Sequence, residues 1–182
     1  MRYAQIRSLD VSNGKGCGVA LFVQGCDRHC KNCFNPETWE FNGGKEWTEE
    51  TKNEFLELID RPYIKRVSIL GGEPLAGQNL DDVLSLVKEI RISFPEKSIW
   101  LYSGFTWDYI IGGIAYDEQG AFFFIEEDKL RYEIVTNVDV FVDGEYIDEQ
   151  RDITLKWRGS KNQRVIDTKK SLEQGKVILY CN

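Results

Sequence analysis

Short apolar runs that end abruptly in polar, glycine-rich loops set the tightest limit on how this chain can fold. Val19–Val23, Val67–Leu70 and Ser98–Tyr102 have the length and content of buried strands. Between them lie stretches with helical spacing. Thr48 is placed to cap a helix whose first turn holds Glu49 and Glu50, with Phe55 and Ile59 on one face. Arg61-Pro62 ends that helix. Asn79 is expected to cap a second helix carrying Leu80, Val83, Leu84, Val87 and Ile90. A short helix is expected near Trp107–Ile111. Val138, Val140 and Val142 alternate with Asp139 and Phe141 and stop at Asp143-Gly144, and Arg164–Ile166 and Val177–Tyr180 read as late strands. Strands joined by helical crossovers predict an α/β fold with a mostly parallel sheet. The chain has 182 residues, read as one domain over 1–182 and too short for eight βα units, so an incomplete barrel is expected. Residues 112–133 fit this pattern least. Within them, Ala121–Ile125 reads as an extra hairpin or edge element.

The first apolar run leads into Cys26, Cys30 and Cys33, in CxxxCxxC spacing. A loop this short can bring three thiolates to one face of an iron–sulfur cluster. Three ligands to a four-iron cluster would leave one iron open for chemistry. A structural zinc completed by His29 or Cys17 satisfies the same spacing. A disulfide framework is disfavoured by the odd count of five cysteines and by the lack of a leader-like opening.

The second run stops at Gly71-Gly72-Glu73-Pro74. Glycines allow close backbone approach, and strand-end carbonyls and a carboxylate can accept from an ammonium group. Alone, the tetrapeptide also reads as an ordinary strand-end turn. Ser103 and Asp143 end the next two expected strands. The cysteine loop, Gly71–Glu73, Ser103 and Asp143 would then share the carboxyl edge of the sheet, where α/β folds place their chemistry.

Composition narrows the classes. Apolar residues make up 42% and charged residues 29%, as in soluble globules. No apolar stretch approaches about 18 residues, so no membrane span is expected. The net charge of −7 argues against a general nucleic-acid binder. Between Arg151 and Lys176, however, eight basic and three acidic residues leave a local +5. This is either a solvated face or a docking surface, the latter expected to use Arg158, Lys161 and Arg164.

The cysteine loop and Gly71–Glu73 together resemble the radical S-adenosylmethionine superfamily. The resemblance implies a partial βα barrel, with Cys26, Cys30 and Cys33 holding a 4Fe–4S cluster. It also implies that Gly71, Gly72 and Glu73 face the methionine moiety of S-adenosylmethionine. Asn32 stands where the superfamily places a residue at the adenine, often an aromatic, and Phe34 is expected close by. Further segments resemble the anaerobic ribonucleoside-triphosphate reductase activating proteins: Asp10–Gly14, Trp100–Gly104, Val142–Gly144 and, most particularly, Trp157–Arg164. Lys15, Gly18 and Glu145 depart from that family's pattern; glycyl-radical activases typically have a lysine at the last of these positions. The resemblance implies that a low-potential donor such as flavodoxin reduces the cluster. S-adenosylmethionine is then cleaved to methionine and a 5′-deoxyadenosyl radical. That radical takes a hydrogen atom from a glycine of the reductase large subunit. A cytoplasmic enzyme is implied.

The residue inventory agrees. His29 is the only histidine, so a histidine-based acid–base pair has no second member, and no side-chain catalyst is expected. Cys17, Cys181 and the five tryptophans read as packing residues. Two rivals stand: a radical enzyme acting on another glycyl-radical protein or a small molecule, and a zinc-binding interaction module.

Overall fold

The structure is a computed structural model that describes residues 1–112, 115–116, 122–123 and 126–181. In chain order its strands and helices are β1 (Arg2–Asp10), β2 (Gly18–Val23), β3 (Lys45–Glu46), α1 (Glu49–Asp60), β4 (Arg66–Gly71), α2 (Leu80–Ser93) and β5 (Ser98–Tyr102). Then come α3 (Trp107–Gly112), β6 (Ala115–Tyr116), β7 (Phe122–Phe123), α4 (Glu126–Thr136), β8 (Val140–Asp143), β9 (Arg164–Asp167) and α5 (Thr168–Gln174). Among the described residues seven strands form one open sheet in the order β3-β1-β2-β4-β5-β8-β9. The four central strands β2, β4, β5 and β8 run parallel. β1 runs antiparallel to both β2 and the edge strand β3, and β9, at the other edge, runs antiparallel to β8. The fold is therefore α/β with a mixed, mostly parallel open sheet.

Strand periodicity sorts the side chains into two layers. Val19, Leu21, Val23, Val67, Ile69, Ile99, Leu101, Phe141 and Ile166 point to one face, where α1, α2, α3 and α4 cover them. Burying each such side chain stabilises by roughly 1.5–3 kcal/mol before chain entropy is counted. The alternate residues form two smaller clusters on the other face: Ala20, Phe22 and Leu70, and Trp100, Val140, Val142 and Val165. Successive parallel strands advance in one direction across the sheet, so right-handed crossovers place their helices on one side.

Most expected elements are present. The Thr48 hydroxyl accepts from the Thr51 N–H and caps α1, whose Phe55 and Ile59 are buried. All five apolar positions expected on the second helix are buried in α2. Asn79 stands at the cap position but does not cap. Its backbone is already helical, and its amide donates to the carbonyls of Gln24 and Glu73, each at 3.0 Å. Val177–Tyr180 is not a strand; Leu179 makes one isolated bridge to Ile166 beyond the left-handed Gly175 that ends α5. Val138 ends the α4 turn, and β8 begins two residues later. Phe122–Phe123 pairs with Ala115–Tyr116 as a small hairpin, while Ala121, Phe124 and Ile125 lie outside the described residues. β1, α4 and α5 had no clear sequence signal. β1 is a polar, half-exposed strand, and α4 buries only Arg131, Ile134 and Val135.

Candidate functional site

The loop after β2 carries the three cysteines, and its path is set by backbone bonds and left-handed residues. Gly25 N–H and Cys26 N–H donate to the carbonyls of Thr38 (2.8 Å) and Trp39 (2.9 Å). The Gln24 amide donates to the carbonyls of Glu37 and Glu40. His29 and Asn32 take φ of +47° and +56°, uncommon for side-chain-bearing residues, and bend the loop sharply at two points. His29 stacks on Trp39 with ring centres 4.6 Å apart. All three cysteines are free and line one cleft of about 470 Å³. Burial raises the Cys26 thiol pKa. Burial, followed by the nearby Glu145 carboxylate, pushes the Cys30 thiol up to about 11. Its sulfur lies 3.5 Å from that carboxylate.

The loop after β4 meets the cysteine loop directly. Glu73 N–H donates to the Gly25 carbonyl at 2.7 Å, and Gly72 N–H to the Val23 carbonyl at 2.9 Å. Gly71 has φ +110°. A Cβ on Gly72 would stand 2.5 Å from the Gly25 carbonyl oxygen and 3.0 Å from that of Thr38, so glycine is needed here for the loops to touch. The Glu73 carboxylate is buried and fully engaged. One oxygen accepts from Leu75 N–H (2.9 Å) and Ser103 Oγ (2.7 Å), the other from Gly104 N–H (2.8 Å) and Arg28 Nε (3.2 Å). Four protein donors fill the four lone-pair positions of a carboxylate.

Arg28, which sequence reasoning passed over, clamps the loops together. Besides Glu73 it faces Glu145 at 3.8 Å and lies over the Phe105 ring at 4.3 Å. The cysteine loop thus supplies the positive charge opposite Glu145. No local pattern announces this pairing, because its partners lie far along the chain.

The remaining expected site residues divide. Phe34 lines the cleft and meets Tyr146 edge-on at 5.1 Å, while Ser103 braces Glu73 from its rim. Asn32 is turned outward, its amide donating to Asp148 at 2.7 Å. Asp143 is buried behind the cleft and accepts from Trp107 N–H (2.8 Å), at the start of α3, and from Arg164 Nε (3.0 Å). It borders a second groove with Asp108 and Arg164.

The Trp157–Arg164 segment builds the far wall of the cleft. The Gln163 side chain accepts from Gly159 N–H and donates to the Gly144 carbonyl, and Ser160 Oγ accepts from Ile147 N–H. A Cβ on Gly159 would stand 2.8 Å from Phe34. Arg164 is spent on Asp143 and Asp108, Lys161 faces Asp152 at 3.7 Å, and Arg158 lines the cleft.

These residues fit an iron–sulfur cluster with an organic ligand beside it. Three free thiols, the ligands such clusters take, border a cleft with space beyond them. Tyr102 Oη, Trp39 Nε1 and Arg158 Nε are buried there without protein partners. Among the described residues no three histidine, cysteine or acidic side chains converge on a point for a single metal ion.

A cysteine-rich loop at the carboxyl edge of a mostly parallel sheet fits an iron–sulfur protein of the α/β class. A model of the 4Fe-4S single cluster domain family matches residues 12–166. The chain is 36% identical over 165 residues to an anaerobic ribonucleoside-triphosphate reductase-activating protein of Vibrio cholerae, covering 90% of this chain and 96% of the relative. Relatives of the same name match in Escherichia coli K12 (34% over 167 residues, 91% and 97%) and Enterobacteria phage T4 (35% over 167 residues, 91% and 93%). The chain belongs to this family of reductase-activating proteins.

Proposed function

We propose that this chain is a radical S-adenosylmethionine enzyme that installs a glycyl radical on the large subunit of an anaerobic ribonucleoside-triphosphate reductase. The observation that carries this reading is the 2.7 Å bond from Glu73 N–H to the Gly25 carbonyl, which joins the cysteine and Gly71–Glu73 loops at one cleft. When bound, the cluster and S-adenosylmethionine supply one-electron cleavage of a carbon–sulfur bond, the source of the radical that takes hydrogen from the partner's glycine. Cys26, Cys30 and Cys33 hold the cluster. Burial at Cys26 and Cys30 disfavours uncompensated thiolates there, so loading the metal releases protons.

The other residues bind and orient. Because Glu73 is saturated, the strand-end backbone of Gly71 and Gly72 is the acceptor for the ammonium group; the Gly72 and Glu73 N–H bonds to the Val23 and Gly25 carbonyls fix that backbone, and Ser103 braces the Glu73 carboxylate beside it. Phe34, with Tyr146, offers an apolar wall for the adenine, and Asn32 steadies that loop through Asp148. Asp143 acts from behind, through Arg164 and α3. The one-sided helices and parallel centre favour an incomplete barrel acting as one domain over 1–182. A low-potential donor such as flavodoxin supplies the electron, and the enzyme works in the cytoplasm; among the described residues no helix is long and apolar enough to cross a membrane.

Anaerobic reconstitution with iron and sulfide tests this. Cys26→Ala, Cys30→Ala and Cys33→Ala are each expected to lose a stable cluster and to give no glycyl radical by electron paramagnetic resonance with the partner reductase. Cys17→Ala and Cys181→Ala are expected to keep full iron content. Equal iron loss in either control would overturn the ligand assignment.

A further inference from the structure

We propose that Arg158 binds the carboxylate of the amino-acid end of S-adenosylmethionine, in a cleft that Tyr102 also lines. This rests on the reading of the cleft given above.

The cleft holds three arginines, and two are committed. Arg28 is held by Glu73 and Glu145, and Arg7 faces Asp10 at 3.8 Å and lies over Phe22 at 4.4 Å. Among the described residues Arg158 has neither ion pair nor hydrogen-bond partner, although its Nε is buried. A buried guanidinium nitrogen without an acceptor is costly, and native structures seldom keep one without a reason.

Two further observations point the same way. The backbone of Trp157 is left-handed, with φ +59°, and its indole is anchored edge-on against Trp100 at 5.0 Å. Strain of this kind gathers at ligand clamps, and here it immediately precedes Arg158. Tyr102 Oη is also unpaired and buried in the same cleft, and burial raises its pKa, so it stays protonated and can donate. The wall thus offers uncommitted donors and a cation, while the Glu73 carboxylate across the cleft has no acceptor capacity left. That set rejects an ammonium or sulfonium group and suits an anionic acceptor. The carboxylate is the one anionic group of S-adenosylmethionine, and guanidinium pairs with carboxylates through parallel bonds.

The test compares two ligands on the anaerobically reconstituted protein by calorimetry. S-adenosylhomocysteine carries the amino-acid end; 5′-methylthioadenosine keeps the adenosyl thioether and lacks it. Arg158→Met is expected to weaken S-adenosylhomocysteine about 10- to 100-fold, as for a lost charged hydrogen bond. It should leave 5′-methylthioadenosine within about two-fold, and iron content unchanged. Arg158→Lys should recover part of the loss. Equal weakening of both ligands, no weakening of either, or loss of iron would overturn the proposal. Wild-type protein that holds its cluster and binds neither ligand would remove the cleft reading itself, and the proposal with it.

Discussion

The two faces of the central sheet are built from the same strands and behave as different materials. The face under α1 to α4 is a continuous apolar layer, with Val67, Ile69, Ile99 and Leu101 fully buried. The opposite face alternates small apolar clusters with charge. Arg66 is fully buried there among Asp10, Asn13 and Ser68, and Tyr102 and Arg158 bring unpaired polar atoms to the cleft. The three non-glycine residues with left-handed backbone among the described residues, His29, Asn32 and Trp157, all belong to the loops around this cleft. One face concentrates stability. The other holds the strained backbone and unpaired groups that a binding site needs.

The largest expected effect would show that the cleft face is not merely decorative. Arg66 Nη2 donates to the Asp10 carboxylate at 2.7 Å and to its carbonyl at 2.9 Å, and Nη1 donates to the Asn13 carbonyl at 2.6 Å and to Ser68 Oγ. These bonds pin the loop after β1 across the sheet, which places Ser12 and Asn13 at the cleft. Arg66→Met leaves the buried Asp10 carboxylate with only the longer ion-pair contact to Arg7 at 3.8 Å and is expected to cost about 3–5 kcal/mol in denaturant unfolding. Adding Asp10→Asn should recover much of that. If the double variant is no more stable than the single, the charge pair is not what holds the loop.

A matched pair of leucines sharpens the comparison. Leu101 on β5 lies under the helices at 0% exposure, and Leu70 on β4 lines the cleft at 7%. Leu101→Ala is expected to cost about 3–5 kcal/mol, because close-packed neighbours cannot fill the void. Leu70→Ala should cost about 1–2 kcal/mol, since its surroundings open to the cleft and can relax. Equal losses in urea unfolding would break the distinction between the faces.

The helix-covered face was largely legible in the sequence, and the cleft only in part. Phe55, Ile59 and the α2 positions Leu80 to Ile90 follow the 3.6-residue period, and the strands follow a period of two, so local spacing reports their burial. The cysteines and Gly71–Glu73 were legible as motifs. What local spacing cannot carry is pairing across the chain. Arg28 finds Glu73 and Glu145 only once β2, β4 and β8 are adjacent. Asn79 reads as a cap until the fold offers its amide two better acceptors. Arg164 looked free for docking because Asp108 and Asp143, which consume it, lie well before it in sequence.

The smallest expected effect concerns the opposite end of the strands, away from the cleft. Asp139 precedes β8 and accepts from Ile99 N–H (2.8 Å), Arg91 (2.7 Å) and Lys169 (2.7 Å), tying α2 and α5 to the sheet. Burial raises its pKa, but Lys169, the Ile99 amide and Arg91 together outweigh burial and hold it below the ordinary carboxylate value. A folded-state pKa below the unfolded one means that the unfolded chain binds the proton more readily. The stabilisation is therefore fully present above about pH 4, the unfolded value, and is lost as pH falls through the lower folded value. Asp139→Asn is expected to cost about 1 kcal/mol at pH 7, as for a partly buried charged hydrogen bond. The cost should shrink as the pH is lowered below about 4, where the wild-type carboxylate also loses its charge. Cleft binding of S-adenosylhomocysteine at neutral pH should not change, because the substitution lies at the stabilising end of the strands. Urea unfolding of both proteins across that pH range, beside one calorimetric titration at pH 7, measures all three. A cost that stays constant with pH would mean that Asp139 contributes packing, not charge. Altered binding would mean that the two ends of the strands are coupled.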